Sequence, residues 1–254
     1  MVANVFDVSN KVAIITGGSR GLGRAMSMAF ADAGAKVVIA SRKQAACDQL
    51  AAEIRAAGGD ALAVACHVGE WSGLESLVQA AKEHYGRLDI LINNAGMSPV
   101  APSMLETSEA LFDKIVDVNL KGPFRLTALA ATEMAITGGG TIINISSIAS
   151  LKPTPLTSVY SAAKSGLNAL TAAAAQEYAA QGVRVNCIVC GTFDTDAAAG
   201  FVRNADTLPY VEEPIALKRV GQPEEIVGTA LYLASNASSY TTGACIVVDG
   251  GVRP

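Results

Sequence analysis

Histidine is nearly absent from this chain, with only His67 and His84. A Ser-His-Asp hydrolase or a histidine-ligated metal therefore has little to be built from. The five cysteines, Cys47, Cys66, Cys187, Cys190 and Cys245, are odd in number and scattered. Cys187-Ile188-Val189-Cys190 has C-x-x-C spacing, but it ends an apolar run rather than opening a helix, and no second pair or histidine completes it. No metal site is expected, and reduced thiols fit a cytoplasmic protein. Aromatic residues make up 5 % of the chain and charged residues 17 %, with a net charge of −4. That balance excludes a general nucleic-acid or anionic-membrane surface. No apolar run approaches the roughly 18 residues of a membrane helix. Met1–Asp7 lacks the basic-then-apolar order of a secretory leader, so none is expected.

What is abundant is apolar sequence in short, regularly spaced runs; half of the 254 residues are hydrophobic. Val12–Thr16, Lys36–Ala40, Ala61 to about His67, Asp89–Asn93, Thr141–Ile145 and Arg184–Val189 read as strands. Helical stretches separate them: one ending near Ala33, one over Trp71–Tyr85, one over Ser108–Ile136 interrupted at Gly122-Pro123, and an Ala-rich one opening near Tyr160. Continuous apolar strands alternating with amphipathic helices predict an α/β fold: a doubly wound, Rossmann-type parallel sheet with helices on both faces. With no repeat or linker, residues 1–254 read as a single domain.

Three stretches carry chemistry. Gly17, Gly21 and Gly23 lie between a strand and a helix, where missing side chains let a pyrophosphate approach the backbone and the helix N-terminus offers N–H groups. The second strand ends Ala40-Ser41-Arg42-Lys43, with no carboxylate before Asp48 to accept a ribose 2′-OH. Arg42, with Arg20 in the glycine loop, suits a 2′-phosphate, which favours NADP (NADPH) over NAD. Tyr160 and Lys164 share one helix face, and Ser147 precedes Tyr160 at the end of a strand. A tyrosine pKa near 10 needs about 4 kcal/mol of preference for the phenolate to reach neutrality. A neighbouring ammonium is expected to supply part of it. Ser147 is placed to polarise a substrate oxygen, Ser146 to close the strand, and Asn119 to turn its backbone toward water just before the Gly122-Pro123 interruption.

Thr16-Gly17-x-x-x-Gly21-x-Gly23, Asn93-Asn94-Ala95-Gly96, Asn119, Ser147, Tyr160-x-x-x-Lys164, Gly221-x-Pro223-Glu224-Glu225 and Asp249-Gly250-Gly251 occur in this order. Over nearly its whole length the chain resembles the short-chain dehydrogenase/reductase family. The resemblance implies seven parallel strands and a catalytic tetrad of Asn119, Ser147, Tyr160 and Lys164. In that scheme Tyr160 protonates a carbonyl oxygen held by Ser147. Lys164 binds the nicotinamide ribose and lowers the tyrosine pKa, while Asn119 positions a water for proton relay. The implied cofactor contacts are Gly17, Ser19, Arg20, Gly21, Leu22, Gly23, Ser41, Arg42, His67, Val68, Asn94, Ala95, Gly96, Tyr160, Lys164, Gly191, Phe193 and Thr195. Two positions depart from the family pattern: His67 stands in place of an aspartate beside the adenine, and Cys190 in place of a proline before Gly191.

Residues 192–218 are expected to form a substrate lid. Met97, Val100, Ile148, Leu151, Phe193, Phe201 and Tyr210 are candidate walls of an apolar pocket for a small ketone, aldehyde or alcohol. The alternative, reduction of 3-oxoacyl groups on an acyl carrier protein or on coenzyme A, calls for basic docking residues on nearby helices. Only Arg125 is present after Pro123. Another alternative is a non-catalytic nucleotide-binding scaffold. An epimerase with an added C-terminal domain is not expected, because little sequence follows Gly251. The resemblance also implies a homotetramer paired through the 108–137 and 160–181 helices.

Overall fold

The computed structural model describes residues 5–252; the leader reading falls partly on residues 1–4, outside the described residues. Its strands are β1 (Val12–Thr16), β2 (Lys36–Ser41), β3 (Asp60–Ala65), β4 (Ile90–Asn93), β5 (Gly140–Ser147), β6 (Val183–Cys190) and β7 (Cys245–Val248). They form one seven-stranded sheet in the order β3-β2-β1-β4-β5-β6-β7, and every adjacent pair is parallel. Every residue of β1 and β4 is buried, which is why both read as unbroken apolar runs. The chain direction across the sheet reverses between β1 and β4, so their C-terminal ends frame a crevice, the usual ligand position in such sheets.

One face carries α1 (Gly21–Asp32), α2 (Gln44–Ala56) and α9 (Val227–Ala234). Their Met26, Phe30, Leu50, Ile54 and Leu233 close over Ile15, Val37 and Ile39. The other face carries α3 (Leu74–Tyr85), α5 (Gly122–Ile136) and α6 (Ser158–Tyr178), whose Leu77, Leu126, Met134 and Ala174 pack on Ile14, Val38 and Leu91. At the sheet's N-terminal edge, Asp89 joins β1 to β4 by accepting from Val12 N at 2.9 Å. It also pairs with Arg87 and Lys11.

Four sequence boundaries are corrected. β3 ends at Ala65, leaving His67 in a turn where its Nδ1 accepts from Gly69 N. β5 continues through Ser147, because Ser146 and Ser147 stay in register with Val189 and Cys190. α6 opens at Ser158, ahead of Tyr160. The long helical region is interrupted at residues 117–121, one π-helical turn between α4 (Glu109–Val116) and α5, rather than at Gly122-Pro123. Pro123 falls in the first turn of α5, where a missing N–H breaks no bond. Gly122 is needed for a close approach: a Cβ there would lie 2.1 Å from Val68 O.

Candidate active site

The glycine loop joins β1 to α1 at the mouth of the crevice. Gly17 and Gly21 have φ of 63° and 52°, which favour glycine. A Cβ on Gly23 would lie 2.1 Å from Gly17 O, so the loop closes only with glycine there. Arg20 is the N-cap of α1 but makes no side-chain cap bond, and no acidic residue occupies the first turn. The first backbone N–H groups of this 12-residue helix therefore face outward, with the helix dipole behind them. Asn94 closes the base of the loop, its Nδ2 donating to Thr16 O at 2.8 Å and to Gly17 O at 3.3 Å. Thr16 Oγ1 accepts from Asn94 N and Ala95 N, both at 3.0 Å. From the far side Thr195 rests on Gly21, 3.3 Å from where a Cβ would stand. An open N–H cradle that a side chain would fill fits the pyrophosphate of a dinucleotide.

Beside the cradle, Ser19 Oγ donates to Ser41 Oγ at 3.0 Å, and Ser41 in turn meets Cys47 Sγ at 3.0 Å. The exposed Arg20 and Arg42 flank these hydroxyls in sequence. Neither guanidinium has an ion pair or side-chain hydrogen bond among the described residues. Val68 is buried. Leu22 packs against the apolar cluster of the α1 face rather than standing free in the crevice.

The tetrad candidates gather at the C-terminal ends of β4 and β5 and the start of α6. Ser147 ends β5, and its Oγ accepts from Ala149 N at 3.2 Å. Lys164 is 3 % exposed and donates from Nζ to Ile145 O at 2.8 Å, while standing 5.8 Å from the Tyr160 ring centre. Burial pushes its ammonium down to about 8. A Cβ on Gly96 would lie 3.0 Å from Asn119 Oδ1 and 3.6 Å from Lys164 Nζ, so these three groups share one small space.

Three expectations are revised here. Tyr160 is not held below its usual value in this state: burial raises it, the Cys190 thiol adds to the rise, and a hydrogen bond with Ser147 works against it. The Lys164 ammonium is turned to a backbone carbonyl, Ile145 O. Asn119 does not turn its backbone to water. It is fully buried in the π turn, its Nδ2 donating to Met97 O and Ile115 O at 2.9 Å while Oδ1 accepts from Met97 N at 3.3 Å. Ser146 is not the last strand residue, and its hydroxyl donates to Lys164 O at 3.3 Å.

Gly191 follows β6 and donates to Val248 O at 2.9 Å; a Cβ there would meet Asp249 Cα at 2.5 Å. Phe193 is buried with its ring on Gly221, which places it in the core rather than in a pocket wall. The 192–218 segment holds two short helices, α7 (Ala199–Val202) and α8 (Leu208–Glu212), and Arg203 at the end of α7 pairs with Asp194 and Asp196. Val100, Leu151, Phe201 and Tyr210 are exposed. A water-sized hollow of about 10 Å³ beside Tyr160 is lined by Pro99, Ala101, Thr107, Leu156 and Val159, none of them singled out from sequence. Val159 and Leu156 stand one and four positions before Tyr160, which was the available signal. Among the described residues no group of His, Cys, Asp and Glu could hold a metal ion, and no helix is long and apolar enough to cross a membrane.

A family model described as enoyl-(acyl carrier protein) reductase matches residues 17–253. Human dehydrogenase/reductase SDR family member 4 is 36 % identical over 244 residues, covering 96 % of this chain and 88 % of the relative. Among solved structures, a short-chain type dehydrogenase/reductase from Mycobacterium marinum aligns with a TM-score of 0.93 at 38 % identity, over 99 % of both chains. A Beutenbergia cavernae protein solved with NADP at low occupancy aligns with a TM-score of 0.93 at 32 % identity, over 98 % of both chains. The doubly wound sheet and its N–H cradle thus belong to an oxidoreductase of the Rossmann type. Within that class, the chain belongs to the short-chain dehydrogenase/reductase family.

Proposed function

We propose that this protein is an NADP(H)-dependent oxidoreductase that interconverts a small ketone or aldehyde and its alcohol, with Tyr160 as the general acid and base. The observation that carries the reading is the gathering of Ser147, Tyr160, Lys164 and Asn119 at the end of the crevice whose mouth is the glycine cradle. When bound, the nicotinamide supplies the hydride acceptor and donor. Gly17, Ser19, Gly21, Gly23, Ala95, Gly96, Gly191 and Thr195 would hold the dinucleotide, and Arg20, Arg42 and Ser41 its 2′-phosphate. Ser147 directs its O–H at the substrate oxygen. Tyr160 gives that oxygen a proton during reduction, a task for which the burial-raised, protonated phenol is the right starting state. Lys164 restores the charge balance as the phenolate forms, and Asn119 holds the Met97 backbone that borders the same space.

The matching family model's description favours a second reading, reduction of carrier-linked acyl groups. A surface for an acidic carrier does not support it: Arg125 lies 5.0 Å over the Trp71 ring and 3.9 Å from Glu75. The family and the reduced thiols further support a cytoplasmic homotetramer formed of one domain per chain.

Fluorescence titration with NADPH and NADH, without substrate, tests the cofactor assignment. NADPH is expected to bind at least tenfold more tightly, and equal or reversed affinities overturn it. Tyr160→Phe is expected to abolish turnover in a carbonyl screen while sparing NADPH binding. Unchanged turnover rejects the role of Tyr160, and nucleotide binding without turnover of any carbonyl or alcohol in the screen returns the scaffold reading.

A further inference from the structure

Ser147 and Tyr160 stand on different elements, the end of β5 and the first turn of α6. A carbonyl oxygen can meet both hydroxyls only while those elements keep their spacing. The chain between them leaves β5 through a 3-10 turn, Ile148–Ser150, and enters α6 through a second, Pro155–Thr157. Ser150 fastens the first turn in three ways. Its hydroxyl donates to Ser147 O at 2.6 Å and accepts from Asn168 Nδ2 at 2.9 Å, and its carbonyl accepts from Ser165 Oγ at 2.9 Å. Asn168 and Ser165 belong to α6, the helix that carries Tyr160 and Lys164. Asn168 is itself oriented: its Oδ1 accepts from the Cys187 thiol of β6 at 3.4 Å, which turns the amide nitrogen toward Ser150.

We propose that Ser150 and Asn168 are positioning residues that set the Ser147 hydroxyl against Tyr160. The inference rests on the reading of Ser147 as the group that binds the carbonyl. The Ala149 N–H, given to Ser147 Oγ, lies inside the fastened turn. That bond occupies a lone pair of the serine oxygen and leaves its proton for Tyr160 or substrate. Loosening the turn moves Ser147 relative to Tyr160 without touching the nucleotide cradle on β1 and α1. A displacement of about 1 Å in such a pair lowers the rate by up to roughly a hundredfold.

The test compares Ser150→Ala, Ser150→Thr and Asn168→Asp with the parent protein, using the ketone turned over fastest in a carbonyl screen. Asn168→Asp keeps the acceptor for Cys187 and removes the donor to Ser150. Ser150→Ala and Asn168→Asp are expected to lower kcat about tenfold, with NADPH affinity unchanged. Ser150→Thr, which keeps the hydroxyl, is expected to restore most of the rate. In the cofactor-free protein, amide hydrogen exchange of Ala149 and its neighbours is expected to accelerate in the first two variants and not in Ser150→Thr. Unchanged kcat and exchange in Ser150→Ala, or a loss seen only as weaker NADPH binding, overturns the proposal. Ser147→Ala separates it from the reading beneath it. If that variant keeps full turnover, the role of Ser147 fails. If it loses turnover and Ser150→Ala lowers its residual rate by the same factor as in the parent, the positioning role fails. Should Ser147→Ala leave no measurable rate, the contrast between Ser150→Thr and Ser150→Ala decides.

Discussion

Lys164 brings an ammonium into a site with 3 % exposure and, among the described residues, a single backbone acceptor within hydrogen-bond distance, Ile145 O. Its value falls from 10.5 to about 8 because burial disfavours the charged form. Between those two values the unfolded chain binds more protons than the folded one at this position, so stability is expected to rise with pH across that window. Tyr160 acts at higher pH in the opposite sense, since its raised value keeps a proton that the unfolded chain has released. Urea unfolding of the parent and of Lys164→Met, compared from pH 7.5 to 9.5, should show a steeper rise in the parent; parallel curves would exclude the assignment. The pairing of Tyr160 with Lys164 was legible from their spacing, since four residues on a helix bring two side chains to one face. The target of the ammonium was not legible, because Ile145 O becomes its partner only when β5 packs beside α6.

At the scale of elements, the strands were read well where both faces are buried, as in β1, β4 and β6. A fully covered strand has no polar alternation to confuse it. β7 went unread, because Cys245–Val248 is short and lies at an edge of the sheet. The interruption of the long helical region was placed at Gly122-Pro123, the residues that usually break helices, whereas it is the π turn at Asp117–Lys121. The Asn119 side chain sits in that turn and takes the Ile115 carbonyl and both polar groups of Met97. This fixes the chain after β4 against the α4–α5 junction. Asn119→Leu keeps the bulk but leaves those buried groups without their partner, at a cost of roughly 1–3 kcal/mol. Thermal unfolding should show a lower Tm, and turnover should fall further than folded protein alone explains. A variant with parent Tm and turnover would show that the turn does not depend on Asn119.

For the molecule as a whole, the two apolar clusters are separated by the sheet, and the crevice opens at one edge where elements from both faces contribute loops. The order of those elements along the chain made the architecture readable. The surroundings of Tyr160 were less readable, because loops from distant positions converge there and apolar residues within them serve the core as often as a pocket wall. Phe193 is such a case. A tetramer paired through α4, α5 and α6 is expected by light scattering, and a monomeric mass at micromolar concentration would exclude it.

The distribution of the five thiols gives this fold a chemical signature. Cys245 is exposed on the edge strand β7, and its thiol is drawn below its usual value by its register neighbour on β6, Cys187. Cys47, Cys66, Cys187 and Cys190 are buried, and burial pushes Cys66 up to about 11 and Cys190 up to about 12. Near neutral pH, an alkylating reagent therefore meets one nucleophile on the native chain and five on the unfolded chain. The mass of each molecule after a brief exposure records whether its sheet was closed, so the protein carries its own tally of folded and open copies.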